Sequence, residues 1–127
     1  MKKKAANKIL LVEDDPTQRL ALGVNLVNEG FVVYNAKNGE EGLLYALGEH
    51  PDVILLDIVM PKMNGFEMIK QLREDEWGKN AKIIILTNSP DLQNVEKSIN
   101  SHVYEYVIKS DTTTEKIIQK VRDLIAG

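Results

Sequence analysis

Five polar residues of this chain stand where short apolar runs end, and their side chains could do chemistry together. They are Glu13, Asp14, Asp57, Thr87 and Lys109. If the apolar runs are parallel strands of one sheet, their carboxyl ends share one edge, which is where open α/β sheets bind ligands. Three carboxylates, a hydroxyl and an amine would then converge. That set of groups indicates a cation site beside a phosphoryl site.

The three carboxylates predict a divalent cation, because a cluster of like charges is unfavourable unless something neutralises it. The chain has no cysteine, and no histidine stands near these acids, so the ligands on offer are oxygens, which favour Mg²⁺. Asp57 follows the most apolar run, and we expect it to act as the nucleophile and form an aspartyl phosphate. The cation, Lys109 and Thr87 would stabilise charge on the transferred group.

The elements that must position these residues are predicted by the apolar pattern. Five short runs suit strands buried on both faces, namely residues 9–12, 31–34, 53–56, 83–86 and 106–108. Five segments between and after them carry apolar residues at helical spacing: Leu20, Val24 and Val27; Leu43, Ala46 and Leu47; Phe66, Ile69 and Leu72; Leu92, Val95 and Ile99; Ile117, Val121 and Leu124. The alternation of strand and helix predicts a doubly wound α/β fold.

Capping residues support the predicted boundaries of the first and last helices. Asp15 followed by Pro16 is typical of a helix start, and Gly30 stands where that helix should end. Thr112 and Glu115 have the spacing of a capping box. The last helix is therefore expected to open at Thr112.

Length and composition predict one globular domain. The 127 residues are 43% hydrophobic and 28% charged, with a formal net charge of -3 that argues against non-specific nucleic-acid binding. No apolar run approaches the ~18 residues needed to span a bilayer or the ~7 of a secretion signal. The absence of cysteine excludes disulfide and thiolate chemistry. We expect a cytoplasmic protein with no nucleic-acid or membrane partner, and a flexible basic segment over residues 1–7.

Four motifs in this order resemble the receiver domain of two-component response regulators, in the single-domain form typified by the chemotaxis receiver. The similarity runs from Lys8 to about Ala126, and its motifs are residues 9–15, residues 55–61 with Asn64-Gly65, residues 86–87 and residues 106–109. The resemblance implies a flavodoxin-like (βα)5 domain over residues 8–127, with a parallel sheet of order 2-1-3-4-5, helices on both faces and no output domain.

The resemblance also implies how a metal would be held. Glu13 and Asp14 would form the acidic pair that holds Mg²⁺, and Asp57 would ligate the metal as well as accept the phosphoryl group. The backbone carbonyl of Val59 would complete the protein's share of the coordination.

A switch is implied by the same resemblance. Thr87 would bond one phosphoryl oxygen and Lys109 would pair with another. Tyr106 is similar to the aromatic residue that turns inward when Thr87 moves toward the phosphoryl group. The surface formed by the fourth predicted helix, the fifth strand and the fifth helix would then report the change to a downstream protein.

The partners implied are a histidine kinase or a histidine phosphotransfer protein as phosphoryl donor, and a separate downstream protein. The chain would be a phosphoacceptor that signals, not an enzyme acting on other substrates. We expect a monomer or a weak homodimer.

Three positions depart from the family pattern. Ser110 follows Lys109 where Pro with a cis bond is usual, and a cis bond to Ser would cost about 3–4 kcal/mol. Asn88 stands where a small residue is common and could narrow access to the phosphoryl group. Val59 is apolar and β-branched, and by hindering the hydrolytic water it could lengthen the phosphorylated state.

Two other functions remain open. A pseudo-receiver would be an adaptor that is not phosphorylated. Ser110 and Asn88 favour this alternative. A Mg²⁺-dependent phosphatase of the haloacid dehalogenase type would also use a strand-end Asp nucleophile. Those enzymes carry a second Asp two residues further on, where this chain has Val59.

Overall fold

Strands and helices alternate along the part of the chain that the computed structural model describes, which is residues 6–58, 62–88 and 105–127, with the backbone alone for residues 105 and 106. The strands are β1 (Lys8–Val12), β2 (Val32–Ala36), β3 (Val53–Asp57), β4 (Ile83–Thr87) and β5 (Glu105–Ile108). The helices are α1 (Pro16–Asn28), α2 (Gly39–Glu49), α3 (Gly65–Arg73) and α4 (Thr114–Ala126), with short 3-10 turns at Gly78–Asn80 and Lys109–Asp111.

All five strands belong to one parallel sheet of order β2-β1-β3-β4-β5. This confirms the doubly wound, flavodoxin-like architecture and the strand order that the resemblance implied. Strands β1, β3 and β4 are almost entirely buried, as expected for apolar runs covered on both faces. Strand β2 lies at an edge and is partly exposed.

Alternate strand residues supply two hydrophobic clusters, one on each face of the sheet. Leu10 and Ile54 point into the cluster that includes residues of α2 and α3. Ile9 and Leu55 point into the cluster that includes residues of α1 and α4. Helices therefore cover both faces, and the strand ends are held in a rigid frame.

Helix α1 starts and ends where its capping residues predict. The Asp15 side chain accepts hydrogen bonds from backbone N–H groups of the first turn, Pro16 is the first helical residue, and Gly30 adopts a φ of 95° just beyond the end. The predicted start of the last helix is wrong by one residue. Thr113, not Thr112, accepts the capping hydrogen bond, from the N–H of Lys116 at 3.2 Å, because the 3-10 turn and Thr112 occupy the preceding positions.

The apolar face predicted for α1 is wrong, although the helix itself is confirmed. Leu20, Val24 and Val27 are 68%, 49% and 56% exposed, and the residues that α1 buries are Gly23 and Leu26. A Cβ on Gly23 would lie 3.4 Å from Oδ1 of Asn35 and 3.9 Å from a methyl group of Leu11. The helix thus approaches the sheet through a glycine, and its larger apolar side chains lie to one side.

Several sequence-based predictions fall outside the described residues. These are the fourth predicted helix with Leu92, Val95 and Ile99, most of the segment 1–7, Val59, and the side chain of Tyr106. Among the helices of the described ranges, none is long and apolar enough to cross a membrane.

Candidate functional site

Three acidic residues meet at the carboxyl edge of the sheet. One carboxylate oxygen from each of Glu13, Asp14 and Asp57 lies within 4.8 Å of the other two. Strand pairing explains this proximity, because Val12 lies opposite Leu56 and the next residues along the two strands are Glu13 and Asp57. Glu13 is buried, Asp57 is half-buried and Asp14 is exposed. The cluster is therefore anchored in the protein on one side and open to solvent on the other.

Lys109 lies against this acidic cluster. Its Nζ is 2.5 Å from Oε1 of Glu13 and 3.5 Å from Oδ2 of Asp57, and it donates a hydrogen bond of 2.9 Å to Oε1 of Gln18. The side chains of Glu13 and Lys109 are only 7% and 18% exposed, so their charges interact more strongly than they would in water. One amine thus contacts two of the three clustered carboxylates, and the site as a whole is negative.

The pKa values of the two neighbouring acids shift in opposite directions. Burial raises the pKa of Glu13, but the hydrogen bond from Lys109 and the one from the N–H of Asp15 outweigh it, so the net pKa is lowered. Desolvation raises the pKa of Asp14, and the nearby Glu13 carboxylate raises it further. Lys109 therefore stabilises the charged form of Glu13 at close range. The Glu13 carboxylate in turn destabilises the charged form of Asp14.

Two residues of α1 that sequence reasoning missed help to hold the loop between β1 and α1. One guanidinium nitrogen of Arg19 donates to the backbone oxygens of Glu13 at 2.7 Å and Asp14 at 3.4 Å, and Gln18 accepts from Lys109. Both follow the Asp15 cap within about one turn, which was the available signal. Neither residue type is unusual on an exposed first turn, so the sequence alone did not single them out.

The loop that follows Asp57 is shaped by close packing at Gly65. The N–H of Gly65 donates to the backbone oxygen of Ile58 at 3.0 Å. A Cβ on Gly65 would lie 2.9 Å from the backbone oxygen of Asp57 and 2.6 Å from a methyl carbon of Ile58, a contact that side chains do not make without displacement. Asn64 caps α3 by accepting from the N–H of Glu67 at 3.0 Å. Both residues fix how the chain leaves the site.

Thr87 reaches the same edge on the neighbouring strand. It is buried and is the last residue of β4, one position beyond Leu86, which lies opposite Asp57. Asn88 and Ser110 are exposed. None of the peptide bonds in the described residues is cis, so the Lys109–Ser110 bond is trans.

The donor set fits a hard divalent cation. All three acids offer oxygen ligands, the oxygens are close enough to share one ion, and the site carries more negative charge than Lys109 balances. Mg²⁺ is bound in proteins by one or two carboxylates together with water and phosphate oxygens. An amine and a buried hydroxyl at the same edge provide the groups that phosphoryl transfer requires for charge stabilisation.

Comparisons with known proteins give one family over almost the whole chain. The model of the response regulator receiver domain matches residues 9–122. The chain is 32% identical over 120 residues to the protein PilH of Pseudomonas aeruginosa, covering 94% of this chain and 98% of PilH. It is 30% identical over 118 residues, 93% of this chain, to the DNA-binding regulator RpaA of Synechocystis, of which it spans 48%.

Solved structures give the same result for the fold. The chemotaxis protein CheY4 of Vibrio cholerae is similar with a TM-score of 0.84 and 29% identity, covering 94% of this chain and 99% of that one. The response regulator TrrA of Thermotoga maritima, solved in complex with Mg²⁺-BeF, is similar with a TM-score of 0.80 and 35% identity, covering 93% of this chain and 98% of TrrA.

Proposed function

The chain belongs to the response regulator receiver family, and on that premise we propose that it signals by accepting a phosphoryl group on Asp57. The observation that carries the proposal is the meeting of Asp57 with Glu13, Asp14 and Lys109 at one edge of the sheet. The donor is a phosphohistidine on a histidine kinase or a histidine phosphotransfer protein. The protein acts in the cytoplasm and works by binding other proteins, not by turning over a substrate.

The phosphoryl transfer is a single displacement at phosphorus. An oxygen of Asp57 forms a bond to phosphorus while the bond from phosphorus to the donor imidazole breaks. The bonding electrons leave with the imidazole, whose other ring nitrogen already carries a proton, so it departs neutral. Asp57 suits this role because β3 holds it rigidly and its carboxylate is only 13% exposed, so water competes little for its oxygens.

Glu13, Asp14 and Asp57 are the residues that would hold Mg²⁺, with the backbone carbonyl of Val59, outside the described residues, as a further proposed ligand. When bound, the ion supplies the positive charge that orients phosphoryl oxygens and offsets their charge. The complex of TrrA with Mg²⁺-BeF supports this assignment by similarity.

In this scheme the amine of Lys109 pairs with two different groups in turn. Its Nζ pairs most closely with Glu13 and lies farther from Asp57. If Glu13 helped to hold a cation, it would pair less with Lys109, and the amine could then pair with an oxygen of the phosphoryl group on Asp57. Lys109 therefore holds the acids together in the resting site and stabilises charge in the phosphorylated one.

The phosphorylated state would be reported by Thr87 and Tyr106. Thr87 is buried at the edge next to Asp57, from which its hydroxyl can bond a phosphoryl oxygen, and Tyr106 turns inward as it does. The surface formed by the fourth predicted helix, which lies outside the described residues, by β5 and by α4 would then shift between two discrete packings and bind the downstream protein in one of them.

Intact mass spectrometry after incubation with acetyl phosphate tests the proposal. With Mg²⁺ we expect one added phosphoryl group on the parent chain, and none with EDTA or on Asp57→Asn. Asp52→Asn is the matched control, because Asp52 lies at the opposite end of the sheet, where it accepts from the N–H of Lys8. No added mass on the parent would contradict the proposal and leave the unphosphorylated adaptor.

A further inference from the structure

Most of the exposed large apolar side chains of the described residues lie around one edge of the sheet. Leu20, Val24 and Val27 of α1 project beside β2, Val32 of β2 is 42% exposed, and Tyr45 of α2 is 40% exposed. We call these five residues, together with exposed Asn35 of β2, the β2-edge surface. On the α1 face of the sheet, a groove of about 510 Å³ lies between α1 and β2. On the α2 face, the ring of Tyr45 contacts the ring of Tyr34 in β2.

Strand β2 lacks the devices that usually protect an open edge. Its sequence, VVYNA, contains no charged residue and no proline, whereas edge strands commonly carry Lys or Pro to prevent pairing with another chain. The N–H of Val32 donates to Asn7 and the backbone oxygen of Ala36 accepts from Glu13. Because strand residues alternate, the backbone groups of Val33 and Asn35 point away from β1, toward the open edge.

Helix α1 is also depleted of charge for an exposed helix. Arg19 is its only charged residue, and that guanidinium is directed to backbone oxygens of the β1–α1 loop. Depletion of charge is typical of the buried centre of protein interfaces. The exposed apolar side chains of the β2-edge surface amount to on the order of 400 Å², about half of what each partner buries in a standard interface, before the strand edge and nearby polar residues are counted.

We propose that the β2-edge surface pairs with the same surface of a second copy of this chain, through antiparallel β2–β2 pairing about a two-fold axis. A second copy is favoured over another partner because the surface is complementary to itself. The open backbone groups of β2 can pair with those of a second β2, and the apolar side chains on each face of the sheet then meet their own copies. Two-fold symmetry is the commonest arrangement for homo-oligomers. The result is one continuous ten-stranded sheet.

The helix positions fit this arrangement. Helices α1 and α2 each contact both β1 and β2, so each axis lies only a fraction of a strand spacing inside the edge. Strand pairing at about 4.8 Å would then place the two copies of α1 about 10 Å apart, near the usual distance between packed helices. The same holds for α2 on the other face. Leu20, Val24 and Val27 would be buried between the two α1 helices.

Sedimentation velocity over a concentration series tests the proposal with the full chain. The parent should dimerise, and Val24→Lys and Val32→Lys should each weaken the dimer by at least about 100-fold, because a symmetric interface contains the buried charge twice. Gln71→Lys is the matched control. Gln71 is exposed on α3, a helix outside the β2-edge surface, so this dimer should persist.

Amide hydrogen exchange supplies the second readout. The amides of Val33 and Asn35 should become protected as concentration rises, while those of Val32 and Tyr34, which face β1, should be protected throughout. A parent that remains monomeric up to about 1 mM overturns the proposal and leaves the edge to a strand from another protein. A dimer unaffected by Val24→Lys and Val32→Lys also overturns it. Phosphorylation of all these variants by acetyl phosphate shows that they are folded and tests Asp57 independently.

Discussion

The two ends of the same sheet arrange similar charged residues in opposite ways. At the carboxyl end, Glu13, Asp14 and Asp57 crowd around the single amine of Lys109. At the amino end, charged groups are dispersed and each has a local partner. Asp52 accepts from the N–H of Lys8 at 2.7 Å, and the Lys8–Glu49 ion pair is about 40% exposed on both sides.

Charge balance separates the functional end from the structural end. The amino end also carries a close stack of His50 on Trp77, with ring centroids 4.5 Å apart, and Lys82 donates to the backbone oxygen of Leu124 at 2.6 Å. These contacts tie chain segments together. The carboxyl end keeps more negative charge than Lys109 balances, and the proposed cation would neutralise it.

The largest effect is expected from Lys109→Met at the carboxyl end of the sheet. Loss of the amine should slow phosphorylation by acetyl phosphate about 100-fold, the usual effect of removing one charge-stabilising donor. The same substitution should tighten Mg²⁺ binding about tenfold, because nothing then competes for Glu13. Calorimetric titration and time-resolved mass spectrometry measure the two effects.

Lys82→Met is the control for this prediction at the amino end, and it should change neither Mg²⁺ affinity nor phosphorylation rate. Weaker Mg²⁺ binding by Lys109→Met would show that Lys109 organises the acids for the cation instead of competing with it. That result would contradict a competition between Lys109 and Mg²⁺ for Glu13.

A smaller effect with opposite signs at the two ends is expected from Asp→Asn substitutions. Without Mg²⁺ at neutral pH, Asp14→Asn should raise the free energy of unfolding by about 0.5 kcal/mol, because it removes a repelled carboxylate whose exposure lets solvent screen much of the repulsion. Asp52→Asn should lower it by about 0.5–1 kcal/mol, because a neutral amide accepts the Lys8 N–H more weakly than a carboxylate does. Urea denaturation measures both.

The pH dependence of the Asp14 effect follows from its raised pKa. Folding favours the protonated form of Asp14, so below the ordinary value of 3.8 the parent carries no repulsion and the variant gains nothing. As pH rises through the folded-state pKa the charge develops, and the advantage of Asp14→Asn should grow to its full size. An advantage that is constant with pH, or a loss of stability at neutral pH, would contradict the electrostatic account.

Much of this arrangement could be predicted from sequence because it rests on strand ends. Apolar runs place their final residues at one edge, and parallel pairing brings Glu13, Asp57 and Thr87 together whatever the details of the loops. The start of α1 could also be predicted, because it depends only on the adjacent residues Asp15 and Pro16, which favour a helix start at that point.

Other features depend on packing that the sequence pattern does not encode. The spacing of Leu20, Val24 and Val27 predicted a buried face, but α1 approaches the sheet through Gly23, which turns those side chains outward. Thr112 and Thr113 are both residue types that cap helices. In the structure Thr112 directly follows the 3-10 turn, and Thr113 is the cap of α4. The pairing of Lys109 with Glu13 and Gln18 joins residues more than 90 positions apart.

Chemical reduction identifies the residue that carries the phosphoryl group. Borohydride reduces an aspartyl phosphate to homoserine, so the chain is treated with acetyl phosphate and Mg²⁺, reduced, digested and sequenced by mass spectrometry. We predict homoserine at position 57 alone, formed only when Mg²⁺ is present. Homoserine at another aspartate, or none despite an added phosphoryl mass, would contradict the assignment of Asp57 as the acceptor.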